Sequence, residues 1–245
     1  MKIILNNFKI YFIKKYILKF VKHNHNIWRF LCGSGLLNSI ELINEFLQYI
    51  ENDEECWRNL CKSGSLNSIK MINEYLRYIE NDIECWRNLC RSGVLNSIEI
   101  INKFLRYIKN DEKCWRYLCR SGSLNSIELI NEYLRFIKDY EECWYYLCES
   151  KGINSTEMID RYFEYIDYEE CWRCLCENGV INSIEMIDKY LEYIEDNIQC
   201  WRYLCFSGSL NSTEGINKYL RFIKNDEKCW RYLFKNIKNI KYTYN

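Results

Sequence analysis

Cysteine gives this chain its widest chemical scope, because fifteen thiols would suffice for several zinc sites or a disulfide framework. Their spacing argues against both. All but Cys174 fill two positions of a recurring unit, as Cys56 and Cys61 do, or Cys85 and Cys90. Residues five apart on a helix point about 140° away from each other, so the two thiols of one unit do not converge on a metal. Equivalent cysteines of neighbouring units are expected about 8 to 10 Å apart, the spacing of packed helices, which is beyond the reach of a disulfide. The pattern predicts small buried side chains at helix contacts, with no metal and no cofactor, in a reducing compartment such as the cytoplasm. The two histidines, His23 and His25, stand beside lysines and outside the recurring units. The sequence carries no nucleophile and base pair, phosphate-binding loop or dinucleotide fingerprint, and its abundant carboxylates fall in links and on polar helix faces. The expectation is a protein that is not an enzyme.

The elements that position these residues follow from a period. Tryptophan recurs at Trp28, Trp57, Trp86, Trp115, Trp144, Trp172, Trp201 and Trp230, at intervals of 29 residues with a single 28. Such a period means stacked units, each too small to bury its own apolar face. Seven repeats begin at Ile27, Cys56, Cys85, Cys114, Cys143, Cys171 and Cys200, and a half repeat fills 229–245. Proline is absent and glycine is nearly confined to one position per repeat, so 27–228 is read as one array without an internal boundary.

Each repeat reads as two helices. At 100° per residue, Ile69, Met71, Ile72, Tyr75, Leu76, Tyr78 and Ile79 share one face, and Lys70, Asn73, Glu74 and Arg77 share the other. An Asn with Glu three residues later, as in Asn96 and Glu99, predicts the start of this helix as a capping box. Around Trp57 a shorter helix gathers Cys56, Trp57, Leu60 and Cys61 on one side, with Asp53 before it and Gly64 at its left-handed stop. The fold class expected is an all-α solenoid of helical hairpins. Its eight tryptophans would form one inter-repeat ladder between the helix layers.

The stretch from Leu60 to Ile72, LCKSGSLNSIKMI, resembles the middle of an ankyrin repeat, in which a first helix ends in a small residue followed by Gly-x-Leu and a second helix. The resemblance recurs in all seven repeats and covers about half of each. Glu55-Cys56-Trp57-Arg58 stands where ankyrin repeats carry Thr-Pro-Leu-His, and the link is too short for their hairpin finger. The chain is similar in this to the shortened ankyrin-like repeats of large DNA viruses and AT-rich protists, which for a viral protein implies the host cytoplasm. A helical-hairpin repeat unrelated to ankyrin satisfies the same periodicity.

The resemblance implies that the short helices line an inner surface. Three rows then face a partner: the residue after Trp, the next residue, and the one three further on. The candidate binding set is Arg58, Asn59, Lys62, Arg87, Arg91, Arg116, Tyr117, Arg120, Tyr146, Glu149, Arg173, Glu177, Arg202 and Tyr203. Tyr and Arg dominate protein-binding hot spots, so the leading expectation is a monomeric scaffold that engages a protein partner. Single-stranded nucleic acid along the Arg and Tyr rows is the alternative, as is a self-assembling structural array. A competing reading has each Arg folding over a Trp ring. The chain has 34 basic and 34 acidic side chains, unevenly placed: residues 143–199 hold four basic against thirteen acidic, and 200–245 nine against three. The acidic block disfavours a continuous nucleic-acid track.

Residues 1–26 hold six lysines and no acid, with Phe12, Ile13, Tyr16, Ile17, Phe20 and Val21 on one helical face. They read as a cap over the first repeat, and are also the only candidate for a membrane contact. The fifth repeat is the expected irregularity: Lys151 takes the glycine slot, Tyr145 replaces Arg, and the next link is one residue short. A local change in superhelical twist is expected there.

Overall fold

In a computed structural model, residues 8–17 and 24–242 are described, the side chains of Ile17 and of 237–242 excepted. The chain divides into two compact units, Met1–Leu124 and Asn125–Asn245. Both are all-α, and among the described residues no strand forms. In the first unit the helices are α1 (His25–Gly33), α2 (Ile40–Ile50), α3 (Glu54–Lys62), α4 (Ile69–Glu74), α5 (Leu76–Ile79), α6 (Ile83–Arg91), α7 (Ile98–Ile108) and α8 (Glu112–Arg120). The short helices α1, α3, α6 and α8 stack side by side in that order, and α2, α5 and α7 pack on the short helix of their own repeat. The second unit repeats the scheme with α9 (Ile127–Ile137), α10 (Glu141–Glu149), α11 (Thr156–Arg161), α12 (Glu169–Glu177), α13 (Ile184–Lys189), α14 (Leu191–Ile194), α15 (Ile198–Ser207), α16 (Thr213–Ile223) and α17 (Glu227–Tyr242). There α10, α12, α15 and α17 form the stack. Each unit therefore has the architecture of a helical-hairpin solenoid.

Local chemistry sets the helix ends. Four short helices start at an aspartate: Asp53 accepts from the Glu55 and Cys56 amides at 3.0 and 3.3 Å, and Asp82, Asp111 and Asp226 each accept from one first-turn amide; the others start at Asn24, Tyr140, Tyr168 and Asn197. They stop at a residue in the left-handed region, where glycine has no Cβ to clash; Gly64 has φ 69°, and the Ser65 amide reaches the Leu60 carbonyl at 3.0 Å. In the fifth repeat Lys151 occupies this slot at φ 65°. Lys151→Gly should therefore stabilise the protein by about 0.5 to 1 kcal/mol, measured as a rise in denaturation midpoint.

The second helices differ from the sequence reading in two ways. Their cap is the serine rather than the preceding asparagine: Ser39, Ser68, Ser97, Ser126, Ser155, Ser183 and Ser212 each accept from the amide three residues on. Asn and Ser are both good caps, and the neighbouring Glu lies within the first turn on either assignment. Moreover, the single helix expected from Ile69 to Ile79 breaks at Tyr75, whose φ and ψ are −108° and 14°. Similar breaks fall at Tyr162, Tyr190 and Tyr219. Each of these hydroxyls bonds to the preceding repeat, Tyr75 to the Ile40 carbonyl at 3.1 Å and Asn44 at 3.0 Å, Tyr190 to Asp160 at 2.8 Å. Phe46 and Phe104 cannot make that bond, and their helices run unbroken, as does that of Tyr133.

The tryptophans from Trp28 to Trp201 are buried between short and long helices, and Trp230 is half-buried. Rather than stacking on one another, they stack within their own repeat. Trp57 lies on Tyr78 at 4.5 Å and tilts against Tyr75 at 5.4 Å; Trp86 meets Tyr107 and Phe104 in the same way, and Trp201 meets Phe222 and Tyr219. The ladder is thus a series of intra-repeat stacks, bridged between the fifth and sixth repeats where Phe163 meets Trp172 edge-on at 5.9 Å. Six of the indoles, those of Trp57, Trp86, Trp115, Trp144, Trp201 and Trp230, donate to the carbonyl six residues earlier, as Trp86 does to Glu80 at 3.3 Å. Trp28 lacks such a bond, and so does Trp172, whose Nε1 is likewise buried without a partner. The residue six before it is Ile166, in the link that lost a residue, where a 3-10 turn (Phe163–Tyr165) replaces the α-helical turn of other repeats.

At the N-terminal end, residues 8–17 are helical and end in a π-helical turn (Ile13–Ile17). Ile13 is buried, Lys9 reaches Leu36 and Asn38, and Lys14 pairs with Glu45, so this segment lies against the first repeat. Phe12 and Tyr16, expected on its apolar face, are exposed. Phe20 and Val21 lie outside the described residues.

Candidate interaction surface

Four arginines of the first row are committed to the array itself. Arg58 Nε donates to Asp82 at 2.7 Å, Arg87 to Asp111 through two nitrogens at 3.1 and 2.6 Å, and Arg202 to Asp226 at 2.7 to 3.3 Å. Arg29 pairs with Asp53 likewise. In each case the arginine of one short helix holds the cap residue of the next, 24 positions on. The carboxylate therefore caps a helix and closes an ion pair at once. Beside Arg202, the Asp226 carboxyl is held down at about 2. A carboxyl whose pKa falls on folding adds stability above its unfolded value, near 3.9, and loses it as pH drops through its folded value. Asp226 should thus contribute to acid lability between about pH 4 and pH 2. Asp226→Asn, which can still cap, should flatten the pH dependence of the urea midpoint in that window.

The other arginines of the row are placed differently. Residue 24 on from Arg173 is Asn197, and Arg173 turns to Glu177 at 3.3 Å. Arg116 pairs with Glu112 at 3.7 Å. Arg29, Arg58, Arg87 and Arg202 pair with aspartates rather than folding over Trp, and arginines of the second helices stack on tyrosine, Arg77 over Tyr78 at 4.6 Å and Arg106 over Tyr107 at 4.5 Å.

Of the two rows beyond Arg, the nearer is as covered as the Arg row and the farther is exposed. Asn59, Tyr117, Tyr146 and Tyr203 are half-buried, and Lys62, Arg91, Arg120, Glu149 and Glu177 are exposed. Arg91 lies over Tyr117 at 5.9 Å. In the second unit Arg173, Glu177 and Tyr203 come together, and burial followed by the Glu177 carboxylate pushes the Tyr203 hydroxyl up. Phe206, 56% exposed, packs edge-on against Tyr232 with ring centroids 5.2 Å apart. With Gln199, Arg202, Tyr203 and Lys228 they line a cleft of about 290 Å³. The candidate set omitted Phe206 and Tyr232, although both lie in its rows.

The cysteines also need correction. The thiols that approach across repeats are not equivalent ones but the second cysteine of one repeat and the first of the next: Cys32 with Cys56, Cys61 with Cys85, Cys90 with Cys114, Cys148 with Cys171, Cys176 with Cys200 and Cys205 with Cys229. All fifteen are free and buried. The hydrogen bond to Cys90, followed by burial, pushes the Cys114 thiol well up, which suits a packing role and opposes a nucleophilic one. Among the described residues no group of three or more His, Cys, Asp or Glu is arranged to hold a metal ion, and no helix is long and apolar enough to cross a membrane.

Comparison with family models, curated proteins and solved structures returns no match to this chain. The class that the structure defines is that of all-α helical-hairpin repeat proteins.

Proposed function

We propose that the protein is a non-enzymatic scaffold of ankyrin-like repeats, which binds a protein partner through the outward rows of its short helices. The reading is carried by the Phe206 and Tyr232 pair, an exposed aromatic contact flanked by Arg202, Tyr203 and Lys228. Buried positions repeat almost unchanged from unit to unit, whereas these rows change from Asn and Lys to Tyr, Glu and Phe. Aromatic and Arg side chains left accessible on rigid helices are what protein hot spots are made of, because little side-chain entropy is lost on binding. The buried free thiols support a reducing compartment.

Affinity purification from the native cell, with wild type beside Phe206→Asp, tests the reading. A partner retained by wild type and lost from the variant is expected. Retention of the same partners by both, or of nucleic acid alone in a salt-dependent manner, would overturn it.

A further inference from the structure

The repeats of this chain serve as controls for one another, and the place between the last two short helices, α15 and α17, departs from the rest. The residue just before the first cysteine of a repeat is Glu55, Glu84, Glu142 or Glu170 in four of them, and any two consecutive repeats before the last pair hold at least one such glutamate. It neutralises the arginine of its own helix: Arg58 lies 3.5 Å from Glu55, and Arg87 pairs with Glu84. In the last pair these positions are Gln199 and Lys228, and Ile198 stands where Glu54 also meets Arg58. Arg202 consequently has Asp226 alone, bonded through Nε and Nη2 at 2.7 to 3.3 Å, and its Nη1 is left over. Lys228 is exposed and makes no ion pair among the described residues. The other carboxylates near it are engaged, Glu227 by Arg231 at 2.6 Å and Glu177 by Arg173 at 3.3 Å.

The apolar half of the place is also particular to it. The third-row residue is glycine or charged in every other repeat, and here it is Phe206. Tyr232 meets that ring edge-on, and Tyr203, whose hydroxyl is in hydrogen-bonding reach of Glu177, adds a second aromatic wall. An apolar side chain laid on Phe206 would take both surfaces out of water, and an aromatic one could add a further edge-to-face contact. A carboxylate on the neighbouring residue could then reach Lys228 and the free Nη1 of Arg202 through charge-assisted bonds. With Asp226 counted, Arg202 and Lys228 leave a single net positive charge, which a carboxylate matches better than a phosphate group of about −1.5 to −2. The edge-on rings present no pair of parallel faces between which a base could stack. The cleft, about 290 Å³, suits one anchor and its neighbour and is too small for a helix.

We propose that this cleft receives a phenylalanine of the protein partner, flanked in the partner's chain by aspartate or glutamate. The inference rests on the scaffold reading and adds the chemistry of the partner. It also gives a use to the basic excess around the cleft, nine basic against three acidic side chains over 200–245.

The test is a titration of the isotope-labelled full chain, followed by NMR, with capped five-residue peptides. Three carry a central Phe flanked by Asp, Asn or Lys, and a fourth replaces the Phe of the Asp peptide by Ala. Saturable shifts with the Asp-flanked Phe peptide are expected, with several-fold weaker binding of the Asn peptide and none of the Lys or Ala peptides. In the double variant Gln199→Glu with Lys228→Glu, which restores the acids of the sister repeats, affinity for the Asp peptide should fall at least tenfold. Lys228→Met keeps the stem and removes the charge; it should weaken binding several-fold and reduce its salt dependence. No saturable shift with the Asp peptide, equal binding of the Asp and Lys peptides, undiminished binding by both variants, or tighter binding of a short oligothymidylate would overturn the proposal. If the peptides fail while Phe206→Asp still abolishes partner capture, the cleft assignment falls and the scaffold reading stands.

Discussion

Trp86→Ala is expected to lower the unfolding free energy by about 3 to 5 kcal/mol, the range for deleting a large, fully packed aromatic side chain. The indole is 1% exposed, stacks on Tyr107 at 4.5 Å and tilts against Phe104 at 5.4 Å, so three rings lose their common contact. The site has little means of collapse, because α6 is held on one side by α3 and on the other by α8. In a repeat stack an interface lost by one unit is lost by its neighbour, so the damage should spread beyond a single hairpin. Urea denaturation gives the magnitude, and amide exchange should quicken in α3 and α8 as well as in α6. A comparison isolates the polar part. Trp86→Phe removes the donor to the Glu80 carbonyl, whereas Trp172 has no such bond to lose. Trp172→Phe should accordingly be milder by about 1 kcal/mol, the net worth of a hydrogen bond. An equal cost at the two sites would refute the assignment of the unpaired indole to the shortened link.

Much of this arrangement could be read from angles alone. The apolar faces of the two helices, the glycine stop and the cap at Asp53 all depend on residues within a few positions of one another, and all are found. Apart from the serine caps, one position from the expected asparagines, the differences depend on residues about one repeat apart. The position 21 beyond Trp is always aromatic, Tyr49, Tyr78, Tyr107, Phe136, Tyr165, Tyr193 and Phe222. That regularity is the signal for the intra-repeat sandwich which the ladder expectation overlooked. The cysteine contact was missed because equivalent positions were compared, although stacked helices bring the end of one unit to the start of the next. The Arg to Asp pairing had a signal too. Asp53, Asp82, Asp111 and Asp226 follow an arginine by 24, and where Tyr145 replaces that arginine the aspartate becomes Tyr168. Where the arginine stays but the cap is Tyr140 or Asn197, Arg116 and Arg173 pair instead with glutamates of their own helices. The third row, by contrast, is exposed throughout.

Asp111→Ala tests the Arg to Asp pairing at a single residue. The carboxylate has two functions, accepting from the Cys114 amide at 2.9 Å at the start of α8 and receiving two nitrogens of Arg87 from α6. Loss of a cap costs about 1 kcal/mol and ranges from about 0.5 to 2. A charge-assisted bond to a well-paired guanidinium is worth a further 1.5 kcal/mol or about that much. Both side chains are mostly covered, Arg87 at 20% exposure and Asp111 at 16%, so solvent screens the pair only in part. Arg87 also keeps its bond to Glu84, which limits the penalty of leaving it behind. The expected loss for Asp111→Ala is therefore about 2 to 3 kcal/mol, from the cap and the pair together. Asp111→Asn should recover the cap and leave only the ionic part, and Arg87→Met should cost about as much as that part alone. In the double variant Arg87→Met with Asp111→Asn the two losses should not add, because both remove the same interaction. If they do add, the arginine and aspartate act separately, and Arg87 returns to the set of side chains free to meet a partner.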